Sequence, residues 1–191
     1  MGLFKIIKMA GYNTILDIQF NETSITEPVT LVEVKDFCKI DISTDDSLLT
    51  ALITSARLMC EDYTAIGFVR HEAVAVLNNP NGGIYLPYGP LIEIIQVTDE
   101  YGNILVLDED YTVSGNSFVR LLMPTYDNIT VSYTTGYETL PNALKTALLN
   151  TVYYLYDNRA MAIERIYDKN VSSIGNIGPI AEMILKPHRR V

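Results

Sequence analysis

The run TDDSLLTALITSARLMCEDY, Thr44 to Tyr63, constrains the fold more than any other part of the chain. Leu48, Leu49, Leu52, Ile53, Ala56, Met59, Cys60 and Tyr63 recur at the three- and four-residue spacing that lines up apolar side chains along one side of an α-helix. Ser43 or Thr44 stands in position to cap the first turn, and Asp45 and Asp46 lie where the helix dipole favours anions. The spacing predicts a helix over 45–63. Arg57 to Glu61 is the less favourable order for an i,i+4 pair, and the outer face is otherwise short of ion pairs. Tertiary packing must therefore hold this helix.

Two further helices follow from similar signals. Thr30 ahead of Glu33 makes a T-x-x-E capping box, and Leu31, Val34, Phe37 and Cys38 form one apolar stripe, which predicts a short helix over 31–40. Pro141 suits the first position of a helix over 141–163, with Ala143, Leu144, Ala147, Leu148, Thr151, Val152 and Leu155 as its buried side. Between them the period changes to two, most clearly where Ile129, Val131 and Tyr133 alternate with Thr130, Ser132 and Thr134. Turn-forming clusters at 79–83, 87–90, 100–103 and 114–116 divide the region 68–134 into five or six short strands. The expected fold is α+β: a bundle of about three main helices packed with a small antiparallel sheet of short strands, with extensions at both ends. Residues 1–29 read as an N-terminal arm with a strand-like piece from Thr14 to Phe20, residues 30–163 as a single domain, and 164–191 as a loop and C-terminal docking tail.

With 191 residues, 48% of them apolar and 19% charged, the chain can bury a core without staples. Its apolar runs are broken within a few residues, so none is expected to cross a membrane. Cys38 and Cys60 form no CxxC and fall on apolar phases of the helices, where a reduced cysteine behaves as a small hydrophobe. A net charge of −9 opposes general affinity for nucleic acid, which rests on Lys and Arg displacing counterions from phosphates.

Few residues point to chemistry. His71, in a strand-like run read as a surface strand, and His188, in the tail, belong to no metal-ligand spacing. The glycines of 79–83, Gly175 and Gly178 lack the spacing of a phosphate-binding loop, and no G-x-S-x-G elbow is present. Asp45 with Asp46 is explained by a helix start, and Asp108, Glu109 and Asp110 by a solvated hairpin tip rather than a cation site. No catalytic residue, cofactor or metal is expected. Of the thirteen tyrosines, those in the third helix and the strands read as core, and Tyr85 and Tyr88, flanking Pro87 in a turn, are the interface candidates, since interfaces favour an apolar ring with a hydroxyl. The basic tip Lys186, Pro187, His188, Arg189 and Arg190 is either a solvated tail or a segment that docks into an acidic groove on a partner.

Five pieces of the chain, taken in order over Thr30 to Arg190, resemble the phage head-to-tail connector (adaptor, or head completion) family. The second helix matches the pattern D-x-x-L-x-x-L-I-x-x-A-R-x-x-x-E-x-Y through Asp45 or Asp46, Leu49, Leu52, Ile53, Ala56, Arg57, Glu61 and Tyr63. The turn Leu86-Pro87-Tyr88-Gly89-Pro90, the segment Val131, Tyr133, Gly136 and Tyr137, the helix from Leu140 and the closing Ile184-Leu185-Lys186-Pro187-His188-Arg189 follow. His188 stands where the family usually has an aromatic, and the first 29 residues lie outside the match. The resemblance implies a structural virion protein, made in the host cytoplasm, that forms a ring of about twelve copies below the portal and lines the DNA channel. Its implied partners are the portal protein, a stopper or tail-completion protein, other copies of itself, and genomic DNA that passes without specific binding. It assigns portal docking to Lys186, Pro187, His188, Arg189 and Arg190, and leaves Tyr85, Tyr88, Asp108, Glu109 and Asp110 as a subunit or stopper interface. The alternatives are a tail-terminator or tail-completion protein, a non-viral interaction module, or a carboxylate metal-binding enzyme.

Overall fold

The computed structural model describes residues 15–21, 25–79, 83–115, 118–158 and 177–189. In chain order its elements are β1 (Ile15–Asn21), α1 (Leu31–Cys38), α2 (Asp46–Thr64), β2 (His71–Asn79), β3 (Gly83–Tyr85), β4 (Leu91–Asp99), β5 (Thr112–Ser114), β6 (Arg120–Leu122), β7 (Tyr126–Thr135), α3 (Asn142–Asp157) and α4 (Pro179–Leu185). A single 3-10 turn, Lys186–His188, follows α4. The class is α+β, as the patterning predicts. The chain divides into two compact units: residues 65–138 with β1 form a β unit, and the four helices with the closing turn form a helical unit.

In the β unit the strands lie in two antiparallel sheets, ordered β1-β2-β7-β4 and β3-β6-β5. Six strands follow residue 70, within the range the turn spacing predicts, but they divide between two sheets instead of forming one. The inward row of β7, Ile129, Val131 and Tyr133, is almost wholly buried, as its alternation requires. It meets Ala73, Ala75 and Leu77 from β2, Val97 from β4, and Ile84 and Leu121 from the second sheet in one apolar cluster. Two inner faces sharing a core explain the division, because each sheet buries what a lone sheet would expose. The strand-like piece of the expected arm is β1, an edge strand that pairs with β2 from Ile15 opposite Leu77 to Asn21 opposite Glu72. At the other edge, β4 pairs with β7 through two register shifts, which leave Ile92 and Ile95 exposed.

In the helical unit the capping box forms in full. The Glu33 N–H donates to Thr30 Oγ1 at 3.2 Å and the Thr30 N–H to Glu33 Oε2 at 2.8 Å. Lys39 enters the left-handed region, φ 57°, and its N–H returns to Lys35 O, so α1 ends at Cys38, two residues before its predicted end. α2 starts at Asp46, with the Leu49 N–H already bonded to Asp45 O at 2.8 Å. The Asp45 carboxylate is taken instead by the Tyr156 hydroxyl, 2.6 Å, and Asp46 pairs with Lys35 at 2.7 Å. Leu49, Ile53, Ala56 and Cys60 face α3 residues Leu144, Ala147, Leu148, Thr151 and Val152 in the buried layer of the unit. At about 1.5–3 kcal/mol for each large side chain fully buried, this layer supplies what surface ion pairs do not. Pro141 sits one position before the first helical residue, and the predicted continuation of α3 beyond residue 158 lies outside the described residues. Gly178, at φ 83°, brings α4 so close to α3 that a Cβ there would lie 2.8 Å from Tyr154 Cγ.

Candidate functional site

The segments that share the connector pattern are far apart in sequence and meet in pairs. In the β unit, the turn Leu86 to Pro90 is pinned to the end of β7. The Tyr133 hydroxyl donates to Pro87 O at 2.8 Å, the Thr135 hydroxyl lies against Tyr88 O and, at 2.9 Å, Pro90 O, and the Gly136 N–H donates to Pro90 O at 3.0 Å. Gly136 must be glycine here: its φ is 101°, and a Cβ would lie 1.8 Å from Val69 O. Burial pushes the Tyr133 phenol well above the usual tyrosine range, so it remains a hydrogen-bond donor at any physiological pH.

In the helical unit, Arg57 lies inside, with a side chain 3% exposed. Its Nη1 donates to Glu61 Oε2 at 2.8 Å and its Nε to Glu27 Oε2 at 3.0 Å, while Thr54 donates to the other oxygen of Glu27 at 2.8 Å. The Arg57–Glu61 pair is therefore not a weak pair on an outer face. It is a buried ion pair completed by a second carboxylate from the segment before α1. Sequence spacing carried a signal for this, since Leu49, Ile53, Arg57 and Glu61 form one i+4 row and the first two are apolar. Two residues further along, the Tyr63 ring receives the Arg189 guanidinium at 5.1 Å from its centroid. With Leu185 and Ala181 buried beneath it, the closing motif is folded onto the helices of its own unit as far as Arg189. It is not a free tail over that stretch.

The candidate surface residues separate in the structure. Lys186, Pro187, His188 and Arg189 are exposed around the turn after α4, and Arg190 lies outside the described residues. Exposed Ile180 and Met183 stand beside them on α4. Asp108, Glu109 and Asp110 form a turn closed by Asp110, whose carboxylate accepts the Val106 N–H at 2.8 Å. Tyr85 is half-buried under the Arg120 guanidinium, 5.6 Å from its ring centroid. Tyr88 does not present its ring to a partner: it is 6% exposed, at φ 55°, and packs edge-on against Phe20 at 4.9 Å. His71, read as a surface residue, is also buried, edge-on to the same Phe20 ring at 4.7 Å. Phe20, on the edge strand β1, packs against both rings. Burial likewise pushes the Cys60 thiol up to about 12, in contact with Thr151.

Among the described residues no three His, Cys, Asp or Glu side chains come together to hold a metal ion, and no helix is long and apolar enough to cross a membrane. Residues 65–138 hold nine carboxylates and only two basic side chains, Arg70 and Arg120. Arg70 is engaged by Glu138 at 3.0 Å and Glu93 at 3.8 Å.

The chain belongs to the head completion protein family, whose sequence profile matches residues 27–191. No curated protein matches it. Among solved structures, it resembles a chain in the virion of a native gene transfer agent particle with a TM-score of 0.65, at 15% identity over 90% of this chain and 95% of that one. It also resembles chains in the neck of the empty particle, computed with C6 symmetry (TM-score 0.64, 15% identity, 91% and 96% covered), and in the neck of the native particle, computed with C12 symmetry (0.57, 16%, 91% and 96%). At these identities the likeness is one of fold.

Proposed function

We propose that this protein is a structural component of a virion neck, assembling as a ring of about twelve copies between the portal and the stopper or tail and lining the path of the DNA. The observation that carries this reading is the head completion match over residues 27–191, which spans both the Arg57–Glu61–Tyr63 helix and the closing motif that packs on it. The exposed Lys186, Pro187, His188 and Arg189, on the turn that follows Ile180 and Met183, form the face offered to the portal. There the guanidinium forks would meet carboxylates two at a time. The acidic turn Asp108 to Asp110 and the half-buried Tyr85 belong to the β unit and are assigned to the neighbouring subunit or stopper. No chemical reaction is required of it.

Twelve copies at a net −9 each would bring together a net charge on the order of −100, so assembly depends on the portal as a template, and an acidic lumen lets phosphates slide without sticking. The test is the mass, by light scattering, of the purified protein alone and with the portal protein of its own genome. A portal-sized complex with one copy per portal subunit is expected. A small oligomer that ignores the portal refutes the reading.

A further inference from the structure

Of the two basic side chains in the β unit, only one is satisfied within it. Arg70 has Glu138 and Glu93. No carboxylate pairs with Arg120 among the described residues, and its Nε is buried with no hydrogen-bond partner. A cation held partly out of water gains most from an acceptor that arrives carrying the opposite charge.

The second sheet fixes this guanidinium in place. Ile84 and Leu121 pair across β3 and β6 and are wholly buried, so Tyr85 and Arg120, the next pair along, share the outward face. The guanidinium lies over the Tyr85 ring, 5.6 Å from its centroid, and fills the space left open at Gly83. A Cβ on Gly83 would stand 2.5 Å from Nη2 and 2.7 Å from Nε. The side chain as a whole is only partly buried, so with Nε covered it is the Nη edge that reaches the surface. That edge can grip one carboxylate through two parallel N–H bonds.

The other edge of the same sheet carries the complement. The order β3-β6-β5 puts β5 opposite β3, and the turn that leads into β5 presents Asp108 and Glu109. Both are exposed and neither pairs with a cation among the described residues, whereas the Asp110 carboxylate is occupied by the Val106 N–H. The Asp108 N–H donates to Tyr111 O at 2.8 Å, which holds the turn in shape. Within one chain the two patches stay apart, because Arg120 lies opposite Ser114, the end of β5 away from this turn. A contact between unlike patches on opposite edges repeats head to tail from copy to copy, which is the interface type that closes into rings.

We propose that Arg120 of one copy, seated on Tyr85, receives the Asp108–Glu109 turn of the next copy, so that one such ion pair joins the small sheets at every boundary. The contact presupposes the ring proposed above and assigns its neighbour-to-neighbour chemistry. Charge complementarity selects a second copy as the occupant: the chain offers an unpaired fork at one edge and unpaired carboxylates at the other.

Sedimentation velocity of the concentrated full-length protein, without portal, tests it by charge swap. Arg120→Glu alone, and Asp108→Lys with Glu109→Lys alone, should each weaken self-association at least about tenfold, because like charges then meet at the boundary. An equimolar mixture of the two should regain wild-type association, since copies that alternate pair opposite charges at every boundary. A variant that had merely unfolded would not be rescued this way. Gly83→Ala keeps every charge but takes the place of the guanidinium, and should weaken association too. Samples that all sediment alike, or a mixture no better than its parts, would overturn the proposal. The neck role is read separately: wild-type protein that joins the portal while its variants self-associate normally would keep that role and remove this contact, and rescue in a protein that ignores the portal would do the reverse.

Discussion

Replacing Arg57 tests the central claim about the helical unit, that a buried guanidinium joins two segments of it. The side chain is 3% exposed and Glu61 7%, so solvent does little to screen whatever charge remains when one partner is removed. Breaking a buried pair from one side costs about 3–5 kcal/mol, mostly because the other charge loses its counter-ion in a poorly solvated place. Arg57→Met keeps most of the stem volume and removes the charge, so it should lose nearly that amount in denaturant unfolding. Arg57→Lys should recover less than half of the loss. Arginine uses Nε for Glu27 and Nη1 for Glu61, whereas one ammonium cannot occupy both positions. Glu27→Gln should cost about 1 kcal/mol or less, since that carboxylate is 27% exposed. Adding Glu61→Gln to Arg57→Met should return at least about 2 kcal/mol, because the stranded charge is gone. With two compact units in the chain the transition need not be two-state, and the effect belongs to whichever step reports helix loss by circular dichroism. A loss below about 1 kcal/mol for Arg57→Met would refute the reasoning.

Gly136→Ala should destabilise the β unit by at least about 2 kcal/mol in the same assay, since it combines strained φ with a clash against Val69 O, whereas Gly102→Ala, at φ 85° with nothing within 4 Å, should cost only about 1 kcal/mol. The Glu33 carboxyl is held below its ordinary 4.5, first by the Lys145 side chain at 2.5 Å and then by Thr30. Its folded pKa is depressed, so its stabilisation is complete above the unfolded value and lost as pH falls through the folded one; Lys145→Met should move the Glu33 titration upward when followed by carboxyl NMR. Cys60 should resist thiol reagents at pH 8 until the helical unit opens, while half-buried Cys38 reacts first; rapid labelling of both thiols in the native protein would contradict the packing of Cys60 against Thr151.

Local grammar was legible in the sequence alone. The capping box at Thr30 and Glu33, the acidic start of α2, the apolar rows of α2 and α3 and the alternation of β7 each depend on residues within one or two turns of each other. Short-range sterics and hydrogen bonding decide such features, and the α+β class and the connector-family pattern follow from their order. What lay beyond it depends on partners 30 to 111 residues away. Arg57 goes inside because Glu27 reaches it across 30 residues, Tyr156 takes Asp45 across 111, and the turn at Leu86 to Pro90 is held by hydroxyls from Tyr133 and Thr135. Tyr88 and His71 look like surface residues until β1 lays Phe20 over them. A charged or aromatic side chain has no fixed place by type; its burial becomes favourable only when the fold delivers a counter-charge or an apolar face to the same spot, and that delivery is a property of the tertiary structure.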